Sequence, residues 1–209
     1  MKNLATYISV LAITLFSVSY AQDNTQQAID QGKSDLIEIL TKAGLDFDFG
    51  IDAEEVRASR NASAVSYKEM DFEKLLNYDQ QGIDAISSPT QKLVVPMVQG
   101  GRVVTTITLS EVKQGTYKAS ELISQRFQDE MNQLPSEATQ NDYKNITIIY
   151  VPNLNTTIYQ ANGKSYSSYD GRSLRDGTDT QDLLQAMKVD AISFQQQYGQ
   201  QTKDGKLLN

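Results

Sequence analysis

The sequence KLVVPMVQGGRVVTTITLSEVKQGTYKAS, which runs from Lys92 to Ser120, decides the predicted fold. It contains three segments in which Val, Ile, Thr and Tyr recur, and such side chains favour the pleated surface of a β-strand. Gly100-Gly101 and Gln114-Gly115 separate the segments, and glycine adopts the positive φ angles that tight hairpin turns require. The stretch therefore predicts a three-stranded antiparallel meander. Pro96 cannot donate a ladder hydrogen bond, so the first strand is expected at a sheet edge or with a bulge.

Apolar stripes with helical spacing flank this meander on both sides. They predict an N-terminal helix over Thr25–Lys42, a middle helix over Glu121–Leu134, and a C-terminal helix that Asp179 caps. Gly44 fits a C-cap of the first helix, and Ser120 fits a cap of the second. The stripes comprise Ile29, Leu36, Ile37 and Leu40, then Ile123, Phe127, Met131 and Leu134, and finally Leu184, Met187, Ala191, Phe194 and Tyr198.

Further strands are predicted between the second and third helices. Asn145–Val151 is rich in Ile, Thr and Tyr, and Thr156–Tyr169 has the form of a hairpin around Asn162-Gly163, a dipeptide typical of two-residue turns. Residues 57–86 have the least clear pattern, with a short strand predicted over Ala64–Tyr67 and one or two helical turns over Asp71–Leu76, capped by Asp71. The order of elements predicts an α+β fold, in which N-terminal, middle and C-terminal helices pack on one face of an antiparallel sheet made of the meander and the C-terminal hairpin.

The first residues have the three parts of a secretory signal peptide. Lys2 supplies a positive charge, Leu4–Val18 form an apolar core, and Ser19-Tyr20-Ala21 places small residues before a cleavage site. A membrane helix needs about 20 apolar residues, which this core lacks, so no membrane span is expected after cleavage. We therefore predict a signal peptide over residues 1–21, cleaved after Ala21, and a secreted or periplasmic protein.

Length and composition limit the domain count and the classes of function. The chain has 209 residues, and residues 22–209 are expected to form a single α+β domain with a loosely ordered tail after Gly199. The net charge of −7 and the absence of a basic cluster exclude a nucleic-acid partner. An exported chain without cysteine is more typical of bacteria than of small secreted eukaryotic domains.

Histidine and cysteine are both absent from the sequence. Their absence excludes Ser-His-Asp and Cys-His catalysis, histidine general bases and thiolate metal sites. No glycine-rich phosphate loop is present, and we expect no cofactor. The remaining chemistry consists of carboxylates, Ser-Lys pairs and oxygen-only metal sites.

Tyrosines on the last strands form the first candidate binding surface. Tyr150, Tyr159, Tyr166 and Tyr169 fall on Asn145–Val151 and the hairpin that follows. Tyrosine combines a large contact area with a polar tip, which suits the recognition of proteins, small molecules or glycans. Cross-strand tyrosine pairs also stabilise hairpins without any ligand, and this second interpretation stays open.

Two groups of carboxylates form the other candidate sites. Asp170, Asp176 and Asp179 lie on the loop before the last helix, where a converging pair could act as general acid and base, although turn and cap roles explain the same residues. Oxygen ligands for Ca²⁺ could come from an acidic segment, but its spacing does not match an EF-hand loop, and a solvated edge strand or a linker is the favoured interpretation. The carboxylates of that segment are Asp46, Asp48, Asp52 and Glu54.

Two functions from different classes are consistent with these observations. The favoured function is a non-catalytic binding module of the cell envelope or the extracellular space, with a protein, small-molecule or glycan partner. The alternative is a carboxylate-dependent hydrolase that acts on envelope or extracellular polymers through the loop aspartates.

Overall fold

The computed structural model describes residues 24–42 and 49–199, together with the backbone of residues 202–203 and 206–207. The expected signal peptide and Gly44 therefore lie outside the described residues. The helices are α1 over residues 24–42, α2 (Ala53–Ala58), α3 (Phe72–Leu76), α4 (Gln125–Met131), α5 (Ser136–Thr139) and α6 (Thr180–Tyr198). The strands are β1 (Arg60–Asn61), β2 (Val65–Met70), β3 (Ser87–Gln99), β4 (Arg102–Lys113), β5 (Thr116–Glu121), β6 (Thr147–Val151), β7 (Thr156–Ala161), β8 (Lys164–Tyr166), β9 (Thr202–Lys203) and β10 (Lys206–Leu207).

Strands β1 to β8 form one mixed sheet in the order β5-β4-β3-β2-β6-β7-β8, and β1 pairs with β3. The predicted α+β class is confirmed, and most of the strand pairs are antiparallel. The expectation of a purely antiparallel sheet is wrong, because β2 and β6 pair in parallel from Ser66↔Thr147 to Glu69↔Tyr150. This pair joins residues that are far apart in the sequence, so no turn or local pattern indicates it.

Pro96 lies in the interior of the sheet, because β3 has β4 on one side and β2 on the other. The expectation of an edge strand is therefore wrong, whereas the alternative expectation of a bulge agrees with the register shift that interrupts the β2–β3 ladder between Ser66↔Leu93 and Lys68↔Pro89. On the side of β2 the ladder reaches Val65↔Val94, and it resumes with β1 at Asn61↔Met97. Pro96 thus lies in the interval between the β2 and β1 registers on that side of β3.

The predicted hairpin turns are confirmed. Gly100 and Gly101 have φ angles of 58° and 82°, and Asn162 and Gly163 have φ angles of 52° and 77°. Positive φ at both central residues is the requirement of a type I′ turn, whose twist matches that of the flanking strands.

The helical predictions are confirmed at α1 and α6 and need correction in the middle of the chain. Glu121 ends β5, and α4 begins only at Gln125, so Ser120 is a strand residue that does not cap a helix. Ile123 precedes α4 and packs near Leu36 of α1. In α6, Leu184, Met187 and Ala191 are buried, as the apolar stripe predicts, and Asp179 accepts hydrogen bonds from the N–H groups of Gln181 and Asp182. Among the described residues, no helix has both the length and the apolar character needed to cross a bilayer.

The described residues belong to two compact units, one within residues 1–61 and 95–125 and the other within residues 62–94 and 126–209. In the first unit, Leu36 and Leu40 of α1 pack with Val56 of α2. Helix α1 approaches β4 and β5 closely at Gly32. A methyl group at Gly32 would lie 3.0 Å from Ala119 Cβ and 3.2 Å from Ile107 Cγ2, so only glycine fits without a shift of the helix.

In the second unit, helices cover both faces of the sheet. Ile149 and Ile158 belong to one buried cluster with Leu184 and Met187 of α6 and with residues of α3. Side chains alternate along a strand, so Tyr159, which follows Ile158, faces the opposite side, where its hydroxyl contacts α4. The expectation of helices on one face only is therefore wrong for this unit.

Replacing Gly32 with alanine is expected to destabilise the protein, although alanine favours a helix over glycine by about 1 kcal/mol. The added methyl meets Ala119 Cβ, which is fixed to the backbone and cannot rotate away. Overpacking of this kind costs about 1–3 kcal/mol, so we expect a net loss of about 1 kcal/mol in the free energy of unfolding, measured in urea. Ala119→Gly, added to the Gly32→Ala protein, should restore part of the lost stability. A Gly32→Ala protein as stable as the wild type would contradict the close approach.

Candidate functional site

Three of the four candidate tyrosines lie on one face of the second unit. The registers Ile148↔Tyr159 and Tyr159↔Tyr166 place Tyr159 and Tyr166 directly opposite each other, and Tyr150 lies on the same face of β6 as Ile148. Tyr159 and Tyr166 are fully buried, whereas Tyr150 is half-buried. Complete burial leaves Tyr159 and Tyr166 no surface for a ligand, and their visible role is packing between β7, β8 and the helices beside them.

A polar network connects Tyr159 to the surface. Its hydroxyl donates to Glu130 Oε2 at 2.8 Å, and Glu130 Oε1 lies 3.2 Å from Nε of Arg126. The Arg126 guanidinium lies 5.8 Å from the centre of the Tyr150 ring and donates to the Asn155 carbonyl oxygen at 3.3 Å. The network thus fixes α4 on the sheet through a buried hydroxyl, a carboxylate and a partly exposed cation.

Burial raises the pKa of Tyr159 well above its usual value of 10.0, and the negative charge of Glu130 raises it further. The neutral phenol is therefore favoured in the folded protein. In the unfolded chain this phenol ionises near pH 10, so its contribution to stability is complete below that pH and is lost as the pH rises towards the folded pKa.

Tyr159→Phe is expected to lower the free energy of unfolding at pH 7 by about 1 kcal/mol, because the Glu130 hydrogen bond is lost. Above pH 10 the wild type should lose stability faster than the variant, since phenylalanine has no proton to lose. Urea unfolding of both proteins at pH 7 and at several values above 10 measures the difference. If the free energy of unfolding falls equally in both proteins above pH 10, ionisation of Tyr159 is not the cause of the pH dependence.

Tyr169 lies apart from the other three tyrosines. It packs against the buried cluster of α3 and α6, and its hydroxyl donates to Asp190 of α6. Burial, followed by the hydrogen bond and the charge of Asp190, raises the pKa of Tyr169. Tyr169 therefore connects the loop after β8 to α6 and does not extend the surface formed at Tyr150.

The loop aspartates have separate local roles in the structure. Asp170 has a positive φ of 54° and forms an ion pair with Arg172 at 3.3 Å. Asp176 lies in a turn that its N–H closes on the Ser173 carbonyl oxygen. Asp179 is the N-cap of α6. These contacts correspond to the turn and cap interpretation of the three residues.

Asp179→Ala is expected to destabilise α6 and to lower the free energy of unfolding by about 1 kcal/mol, because two helix N–H groups lose their acceptor. Asp179→Ser retains an acceptor and should cost little. Thermal unfolding of both variants measures the difference. Equal stability of the alanine variant and the wild type would contradict the capping role.

The acidic segment is only partly within the described residues, since Asp46 and Asp48 lie outside them. Asp52 caps α2 by accepting from the Glu54 N–H at 2.6 Å, and Glu54 pairs with Arg57. Within the described residues, no group of three or more carboxylates is placed to hold a metal ion.

A groove lies between α1 and β5 in the first unit. Its volume is about 390 Å³, which lies within the range typical of ligand pockets. The helix wall presents Asn24, Gln27, Gln31 and Asp35, the strand wall presents Thr116, Tyr117 and Lys118, and Ala28, Gly32 and Ala119 complete the lining. Small residues at the close approach and polar side chains along both walls therefore shape the groove.

Sequence reasoning did not identify this groove. The available signal was the pair Ala28 and Gly32, spaced by four residues on the buried side of a helix, where larger side chains are the norm. Two small residues at this spacing indicate close approach to a neighbouring element, but they do not indicate which one. The identity of β5 as that neighbour depends on tertiary structure.

Comparisons of the chain with protein-family models, with curated proteins and with solved structures found no match. The groove and the tyrosine network are therefore interpreted from their own chemistry.

Proposed function

We propose that the protein is a non-catalytic binding module that acts after export, in the periplasm or outside the cell, and that it binds its partner in the groove between α1 and β5. The observation that carries this proposal is the groove itself, which has the size of a ligand site and polar side chains on both walls. Export is the expectation from residues 1–21.

The chemistry of the groove supports binding rather than catalysis. Amides of Asn24, Gln27 and Gln31 can each donate and accept hydrogen bonds, and the half-buried ring of Tyr117 adds an amphipathic contact. Asp35 is the one carboxylate among the lining residues, so the lining lacks the pair of carboxylates that acid–base hydrolysis requires.

The tyrosine face is less suited to binding than the groove. Two of its three members are fully buried, and the partly exposed Arg126 beside Tyr150 already contacts Glu130 and Asn155. The binding surface is therefore assigned to the first unit.

Gln31→Trp is the variant that tests the groove. Gln31 is exposed, so a larger side chain there fills the groove without entering the core. We expect binding of the physiological partner to fall by about tenfold or more, which corresponds to about 1.4 kcal/mol. Equal amounts of wild type and variant are immobilised and exposed to envelope and extracellular extracts, and bound proteins and glycans are quantified by mass spectrometry.

The matched control is Gln185→Trp, which places the same side chain on the exposed side of α6. The control should bind as the wild type does, and both variants should unfold at the wild-type temperature. Partner binding that is equal in the wild type and in Gln31→Trp would refute the assignment of the site to this groove.

A further inference from the structure

We infer that the groove takes an extended peptide, which adds as a further strand to the open edge of β5. This inference rests on the proposed function of the groove and names the class of its partner. Strand addition provides main-chain hydrogen bonds for affinity and side-chain contacts for specificity.

The first observation is that β5 is a terminal strand with an unused edge. Its strand partner is β4, and within the described residues its backbone forms no hydrogen bond to any other segment. The strand at the other end of the sheet, β8, differs: the Ser165 N–H donates to the Thr178 carbonyl oxygen at 3.1 Å, and the Thr178 N–H donates back at 2.8 Å. The β8 end of the sheet is thus paired with another segment of the chain, whereas the β5 edge is unpaired among the described residues.

The second observation is that the helix wall runs along a single ridge. Gln27, Gln31 and Asp35 are spaced by four residues, so they lie one above another on α1. The ridge is about 12 Å long at the helical rise of about 1.5 Å per residue. That length corresponds to about four residues of an extended chain at about 3.3 Å each, and β5 has six residues. An extended segment of about four residues therefore spans the helix wall, where the amides of Gln27 and Gln31 can both donate and accept hydrogen bonds.

The charges of the two walls favour a peptide with both signs of charge. Asp35 on the helix wall accepts from Gln31 Nε2 at 2.7 Å, and the described residues give it no ion pair. Lys118 on the strand wall is exposed and forms none of the ion pairs of the described residues. A bound peptide can place a basic residue at Asp35 and an acidic residue at Lys118, and binding should then weaken with added salt.

A second copy of this chain is a poorer occupant. A twofold axis at the middle of Tyr117–Ala119, the part of β5 with an unbroken register, would set the two copies of Lys118 opposite each other, which is unfavourable.

The inference is tested with a phage-displayed library of random eight-residue peptides, selected on the exported protein. Selected peptides are synthesised in two forms, with a normal backbone and with N-methyl groups on alternate residues. We expect binding peptides to carry a basic residue and to bind about tenfold more weakly to Gln31→Trp but not to Gln185→Trp. We also expect them to protect backbone amides of β5 from hydrogen exchange. N-methylation in the register that faces β5 should abolish binding, because it removes strand donors.

The outcomes separate this inference from the proposed function. Selected peptides that leave the exchange of β5 amides unchanged, or that bind equally well in every N-methylated form, overturn strand addition. A second outcome is that the library yields no peptide whose binding depends on the groove, while a glycan or protein from the extracts binds the wild type and not Gln31→Trp. That result keeps the groove as the binding site but overturns the peptide as its occupant. If every ligand binds Gln31→Trp as well as it binds the wild type, both the proposed binding site and the peptide inference are overturned.

Discussion

The rest of the structure depends on the pairing of β3 along both of its edges. This strand has 13 residues, with β4 on one side and with β2 and β1 in succession on the other. Val94 and Val95 point to opposite faces, and every residue from Val94 to Val98 is buried, so this half of the strand has no face left for water. Its register cannot shift by one residue without exchanging the two faces. The helices must therefore cover both faces of this part of the sheet.

Local patterns predicted the elements whose structure depends on neighbouring residues. The type I′ geometry at Gly100-Gly101 and at Asn162-Gly163 follows from residue type, and the stripe of α6 follows from helical spacing. The parallel pairing of β2 with β6 could not be predicted, because it depends on contacts between distant segments. Burial on both faces also had a local signal in β4, because the run Val103–Leu109 lacks the alternation of a half-solvated strand.

The candidate site, like the fold, could be predicted from local sequence only in part. Composition drew attention to the tyrosines, but composition does not distinguish a phenol that meets a ligand from one that packs in the core. Tyr159 is buried because its hydroxyl finds Glu130, a partner from a helix that is distant in the sequence. The groove, in contrast, is lined by glutamines and an asparagine that carry no distinctive motif. Its only local signal was the small pair Ala28 and Gly32, which predicts a close approach and not a ligand.

The energetics of an open edge explain why the helix wall matters for recognition. Water already satisfies the exposed N–H and C=O groups of β5, so each hydrogen bond to an added strand contributes only about 0.5–1.5 kcal/mol. The part of β5 with an unbroken register, Tyr117–Ala119, offers few such bonds. If a peptide adds to β5 as inferred, its side chains must supply the remaining free energy, and Gln27, Gln31 and Asp35 are the polar groups that line the helix wall beside it. Selectivity is therefore expected to come from the helix, while the strand fixes the extended conformation of whatever binds.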